Sequence, residues 1–136
     1  KLIIMLIIIL IIYMTARLIE VCKKFGREHV YNAPETLRLE TLGRRVIHGL
    51  MDIFWEGAHG CPDPVDTTSK AWKKFNKSPE GKVYNLLSKN YRTAFESASK
   101  SSSLPPLYHR YQLVTDYVCG MTDTFACDLH AQLTHG

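Results

Sequence analysis

Two carboxylates seven residues apart, Asp116 and Asp123, stand in LYHRYQLVTDYVCGMTDTFACDL, Leu107 to Leu129, and share one face if that stretch is a single helix of about six turns. Paired carboxylates can divide general-acid and general-base work between them. Nothing in the surrounding pattern places a water or a metal between these two. Their expected role is structural, accepting hydrogen bonds from the backbone or from Arg92 or Arg110 while Gly120 permits a close helix approach. The four cysteines, Cys22, Cys61, Cys119 and Cys127, are far apart without CxxC spacing and read as free thiols of a reducing compartment. His59 and Cys61 are close in sequence, but they lie in a Gly/Pro-rich loop and are not expected to bind a metal. Ser99 to Ser103 carries no Ser-His-Asp logic, and His109 and His130 are expected at the surface or as hydrogen-bonded core groups.

The segment KAWKKFNKSPEGK, Lys70 to Lys82, interleaves cations with Trp72 and Phe75. Cations beside a helix N-terminus suit phosphate groups, although lysine lacks the bidentate fork of arginine. A solvated basic loop is the alternative reading. The formal net charge of +4 is a mild basic excess that suits an anionic nucleotide or polynucleotide without establishing one.

Helices must position these residues. No strand alternation or internal repeat occurs, so the expected class is all-α, with about four helices. Leu18, Val21, Cys22 and Phe25 have helical spacing, and Gly26 ends or loosens that helix. Asn32 with Pro34 and Glu35 reads as an N-cap, and the following helix carries Leu39, Leu42, Val46, Leu50 and Phe54 on one face and stops near Gly57. Residues 57–78 are rich in Gly, Pro, Ser and Thr and read as a long loop. Ser78 then caps a helix with Pro79 at its first position and Tyr84, Leu87, Tyr91, Ala94 and Ala98 as its buried stripe. SASKSSSLPP, Ser97 to Pro106, breaks the chain before a last helix with Leu107, Tyr111, Val114, Val118, Met121 and Phe125 inward.

The N-terminus is compositionally different. Lys1 precedes LIIMLIIILIIYM, 13 unbroken apolar residues, and the expected division is a hydrophobic leader over residues 1–16 and one helical domain over 17–136. A bilayer span needs about 20 apolar residues, so the run is short for one. It reads as a membrane anchor or signal, as a buried core helix, or as translated sequence foreign to the gene, and the last is preferred.

The C-terminal stretch resembles the closing helix of the deoxyguanosinetriphosphate triphosphohydrolases, the dGTPase branch of the HD-domain phosphohydrolases. Asp116, Tyr117, Gly120, Met121, Thr122, Asp123 and Ala126 fall at the spacing of that family's DY…GMTD signature. A second block, HVYNAPETLRLETLGRRVIHGLMDIF, His29 to Phe54, resembles another family helix in the right order. The resemblance covers roughly residues 17 to 136 and implies a helical C-terminal module of an HD-domain phosphohydrolase.

The family's chemistry rests on a metal site made from a His, a His-Asp dipeptide and a distant Asp. No histidine in this chain precedes an aspartate: His29, His48, His59, His109, His130 and His135 are each followed by another residue. The resemblance therefore implies a C-terminal fragment, inactive alone, of a cytoplasmic enzyme that cleaves dGTP or other dNTPs to deoxynucleoside and triphosphate. In that reaction a metal-activated water attacks the α-phosphorus, with Mg²⁺ or Mn²⁺ held by residues this chain lacks. The fragment would help close the nucleotide pocket and build a homo-oligomer. The resemblance also assigns substrate contacts: Tyr31 stacking on a base, Glu40 nearby, and Lys73 and Lys82 approaching the nucleotide, partly from a neighbouring subunit. The same residues also read as a hydrophobic staple (Tyr31), a solvated helix residue (Glu40) and a solvated basic loop. The alternative function is a non-catalytic helical module that engages single-stranded nucleic acid or a protein, tethered to a membrane if the leader is a true anchor. A ligand-free oligomerisation piece is a third reading.

Overall fold

The computed structural model describes residues 2–63 and 65–135, and among them the regular elements are helices alone. They are α1 (Leu2–Phe25), α2 (Pro34–His59), α3 (Lys70–Phe75), α4 (Pro79–Leu86), α5 (Lys89–Ser101), α6 (Pro106–Cys119) and α7 (Asp123–His135), with a π-helical stretch Gly26–Tyr31 between the first two. The all-α class is as expected. Subdivision of the expected helices raises their number.

The chain divides into two units, with the boundary between Leu42 and Gly43 inside α2. In the first unit, the apolar run and the segment after it form one continuous helix, α1, that gives way at Gly26. Thr15 donates its hydroxyl back to the carbonyls of Ile11 and Ile12 at 2.9 Å, which satisfies the hydroxyl without a tertiary partner. The side chains from Ile4 to Met14 are all exposed. By length and composition the helical segment Ile4–Tyr31 is also able to cross a membrane, with a mean hydropathy of 2.4 over an 18-residue window, a criterion that signal sequences meet as well. The exposed pairs Arg17–Glu20 (3.8 Å) and Lys24–Glu28 (3.9 Å) contribute little. At the start of α2, the Leu37 N–H bonds the Ala33 carbonyl, so Ala33 rather than Asn32 takes the capping position before Pro34.

The second unit holds the core. Val46, Leu50, Phe54 and Ala58 recur every four residues along α2 and are buried, whereas Leu39 and Leu42, expected on the same stripe, belong to the first unit and are exposed. The expected long loop is partly ordered. The Asp66 carboxylate accepts from the N–H and hydroxyl of Thr68 (2.9 and 2.7 Å), and Ser69 then caps α3 by accepting from the Trp72 N–H at 3.1 Å. This delivers Trp72 and Phe75 to the core. Ser78 accepts from the Gly81 N–H at 3.2 Å with Pro79 inside the first turn, the start expected for α4.

Two expected helices are broken. Leu87 and Ser88 are extended, with ψ of 139° at both, and separate α4 from α5. The break turns α5 so that Phe95 is buried and Ala94 exposed. The C-terminal helix stops at Cys119, and Thr122 restarts it by accepting from the Phe125 N–H at 3.3 Å. Leu107, Tyr111 and Phe125, expected inward, are about half exposed, and Leu113 and Tyr117 take buried places beside Val114 and Val118.

Tyr84 sits at the centre of the core. It is fully buried, and its ring meets Trp72 and Phe75 edge-on at 5.6 Å and Phe95 at 6.3 Å. Its hydroxyl donates to the Glu96 carboxylate at 2.9 Å, so the polar end of the ring is satisfied.

Candidate functional site

The residues suggested as substrate contacts divide between the units. Tyr31 ends the π-helical stretch, 67% exposed, and Glu40 is an exposed residue of α2, both in the first unit. Lys73 in α3 and Lys82 in α4 are exposed members of the second unit. The basic segment is therefore not a loop. It is a tight helix–turn–helix in which the Ser78 N–H bonds the Phe75 carbonyl at 2.8 Å.

The depression beside this turn has a volume of about 710 Å³ and is lined by Lys74, His59, Glu56 and Glu80, so Lys74 rather than Lys73 or Lys82 faces it. The Ser78 hydroxyl beside Glu80 holds that carboxyl below the usual glutamate range, so the depression carries negative charge against the cations.

The carboxylate pair is taken apart. Asp116 lies in α6 and Asp123 opens α7, so they do not share one helix face, because the chain turns at Gly120. The arginines expected to serve Asp116 are engaged elsewhere: Arg110 donates to the Cys61 carbonyl at 2.8 Å and Arg92 to the Asn85 amide oxygen at 2.7 Å. Gly120 does allow the expected close approach, since the Tyr91 hydroxyl occupies the space a Cβ there would need.

His59 stacks on Trp55 (5.3 Å), and Trp55 stacks on Tyr111 at 4.3 Å and 13°. This triple stack joins α2 to α6, and its Trp55 and Tyr111 border a pocket of about 220 Å³ with Met51, Asp52 and Thr115. Sequence reasoning missed it. Its only sequence signal was the i, i+4 spacing of Trp55 and His59, which does not reach Tyr111.

Cys61 is 3% exposed, and burial pushes its thiol pKa up to about 12. Cys22, Cys119 and Cys127 are exposed. In the folded protein at pH 8, an aromatic disulfide reagent should titrate three thiols rapidly and the fourth only after denaturant is added. Four thiols reacting at one rate would contradict the burial of Cys61.

Among the described residues, no group of three or more His, Cys, Asp or Glu is placed to hold a metal ion. With no His-Asp dipeptide in the chain, these residues do not fit the Mg²⁺ or Mn²⁺ of an HD-type site. What they build is a helical packing module with an aromatic centre, a partly exposed stack and a basic turn.

Residues 13–132 match the model of the phosphohydrolase-associated domain, and the chain belongs to that family. It is similar to the deoxyguanosinetriphosphate triphosphohydrolases of Yersinia pestis (strain Pestoides F), 35% identical over 126 residues, and of Salmonella arizonae, 35% identical over 127. The alignments take in 86% and 87% of this chain and 25% of each relative, so the chain spans about a quarter of the length of the curated relatives it matches. No solved structure matches at a comparable level of significance. Residues 1–12, most of the apolar run, lie outside the family match.

Proposed function

We propose that this chain is the helical C-terminal module of a cytoplasmic dGTP triphosphohydrolase, one that supports nucleotide binding and subunit assembly and does not itself perform the cleavage. The observation that carries this reading is the combination of 35% identity to enzymes of that name with a chain that has no His-Asp dipeptide. The metal, Mg²⁺ or Mn²⁺, would be held by residues other than these. Tyr31 would offer a ring to the base, Glu40 a carboxylate beside it, and Lys73 and Lys82 charge to the phosphates, and all four side chains are free for contact because they are exposed.

The purified chain with dGTP and Mn²⁺ should release no triphosphate above a no-protein control. Turnover by the chain would sink the non-catalytic reading. The binding role is tested by putting this chain in place of the matching quarter of the Yersinia pestis relative. That chimera should hydrolyse dGTP, and a Lys73→Ala, Lys82→Ala double variant should raise KM about tenfold or more, as expected for losing charge-assisted bonds to phosphate. An unchanged KM in the variant would remove these lysines from the site.

The helix–turn–helix of exposed lysines around Trp72 and Phe75 favours one second reading, binding of single-stranded nucleic acid. The two aromatic rings are buried, so this binding would be electrostatic and should weaken steeply with salt.

A further inference from the structure

His109 is 5% exposed, and neither of its ring nitrogens has a hydrogen-bond partner. A neutral imidazole carries one donor and one acceptor, and leaving both unmade in a buried position is unfavourable. The ring lines a cleft of about 120 Å³ between α5 and α6, together with Gln112 and Asp116 from its own helix and Tyr91, Phe95 and Ala98 from α5. Asp116 is the one charged residue of the lining, and among the described residues it has no ion-pair partner. Among the described residues no arginine lines the cleft: Arg110 donates to the Cys61 carbonyl and Arg92 to the Asn85 amide oxygen, each through one terminal nitrogen, and the buried Nε of each has no partner. The cleft therefore combines a free carboxylate, an unsatisfied buried imidazole and largely apolar walls.

We propose that this cleft binds a guanidinium group, one edge donating to the Asp116 carboxylate and another N–H to the acceptor nitrogen of His109. The single negative charge selects a cation. The walls decide which cation. A compact ammonium is strongly hydrated and finds no replacement for its water on Phe95, Tyr91 and Ala98, whereas guanidinium is planar, weakly hydrated and stacks on aromatic faces. A cavity of this volume has room for a group of that size where a single water needs only about 10–15 Å³. The guanidinium comes from free arginine or from an arginine side chain of a polypeptide.

The test is a titration of the full chain followed by the ring ¹⁵N signals of His109. N-acetyl-argininamide should shift them saturably, and N-acetyl-lysinamide should bind about tenfold more weakly or not at all. Asp116→Asn, at an exposed position, should lower the affinity for argininamide about tenfold or more. Ala98→Leu should fill the cleft and abolish the shift while the helical circular dichroism is kept. A response to free L-arginine but not to a capped Gly-Arg-Gly peptide assigns the small molecule, and equal responses assign a polypeptide side chain. Absence of any His109 shift with argininamide, an equal response to lysinamide, or unchanged binding in Asp116→Asn overturns the proposal.

Discussion

Phe54→Ala should lower the unfolding free energy of the second unit by about 3–5 kcal/mol, the range for truncating a fully buried phenylalanine. Phe54 is 0% exposed, lies between Leu50 and Ala58 on the buried stripe of α2, and meets Tyr117 edge-on at 5.0 Å. Removing the ring costs Tyr117 one of its two edge-on partners, leaving Tyr91 at 5.5 Å, and opens a void that helices held by Trp72, Tyr84 and Leu50 cannot close. Urea unfolding followed by fluorescence measures it well, because both tryptophans, Trp55 and Trp72, report on this unit. Phe54→Leu keeps most of the volume and should lose much less. A loss below about 1 kcal/mol in Phe54→Ala would mean that this stripe is not the core of the unit.

The second large effect is a reversal of sign between two glycines of the same helix. An alanine normally stabilises a mid-helix position by about 0.5–1 kcal/mol relative to glycine. At Gly43 an added Cβ meets nothing within 4 Å, so Gly43→Ala should follow that rule. At Gly57 the same atom would stand 2.7 Å from the Tyr84 amide nitrogen and 3.1 Å from the Tyr84 Cα and the Val83 carbonyl carbon. Those are backbone atoms of α4 and cannot swing away. Gly57→Ala should therefore push α4 from α2 and destabilise by about 1–3 kcal/mol, the usual cost of overpacking. Parallel urea curves for the two variants give the answer. A stabilised Gly57→Ala would show that the two helices do not approach this closely.

The comparison of those glycines also marks the limit of reading the chain as a string. Both sit in one helix, and the local pattern, which marks Gly57 only as lying near the helix end, does not show the difference made by Tyr84, which arrives from another element. Features set by neighbours in sequence were legible: the Ser78–Pro79 start of α4, the break at Gly26, and the Val46, Leu50, Phe54 stripe, whose period alone points it inward. The stripe's extension to Leu39 and Leu42 was not, since burial there requires a second surface and the described first unit buries none of its side chains.

The site shows the same division. The lack of a His-Asp dipeptide is a property of residue order and needs no coordinates. The DY…GMTD stretch was correctly tied to its family, as the match over residues 13–132 shows, yet its internal geometry was misread as one helix. A turn at Gly120 costs an isolated helix its hydrogen bonds, and it is favoured here by the Tyr91 hydroxyl seated against that glycine and by the Thr122 cap.

The chain order by itself determined the all-α class, the family and the lack of a His-Asp dipeptide, because helical period, caps and dipeptides are local. Tertiary structure alone decided which rings are buried, that His59, Trp55 and Tyr111 stack, and that His109 faces a cleft beside a free carboxylate. Each of those depends on side chains brought together from separate helices, and burial and electrostatic pairing are properties of that assembled neighbourhood rather than of any residue's own position in the sequence.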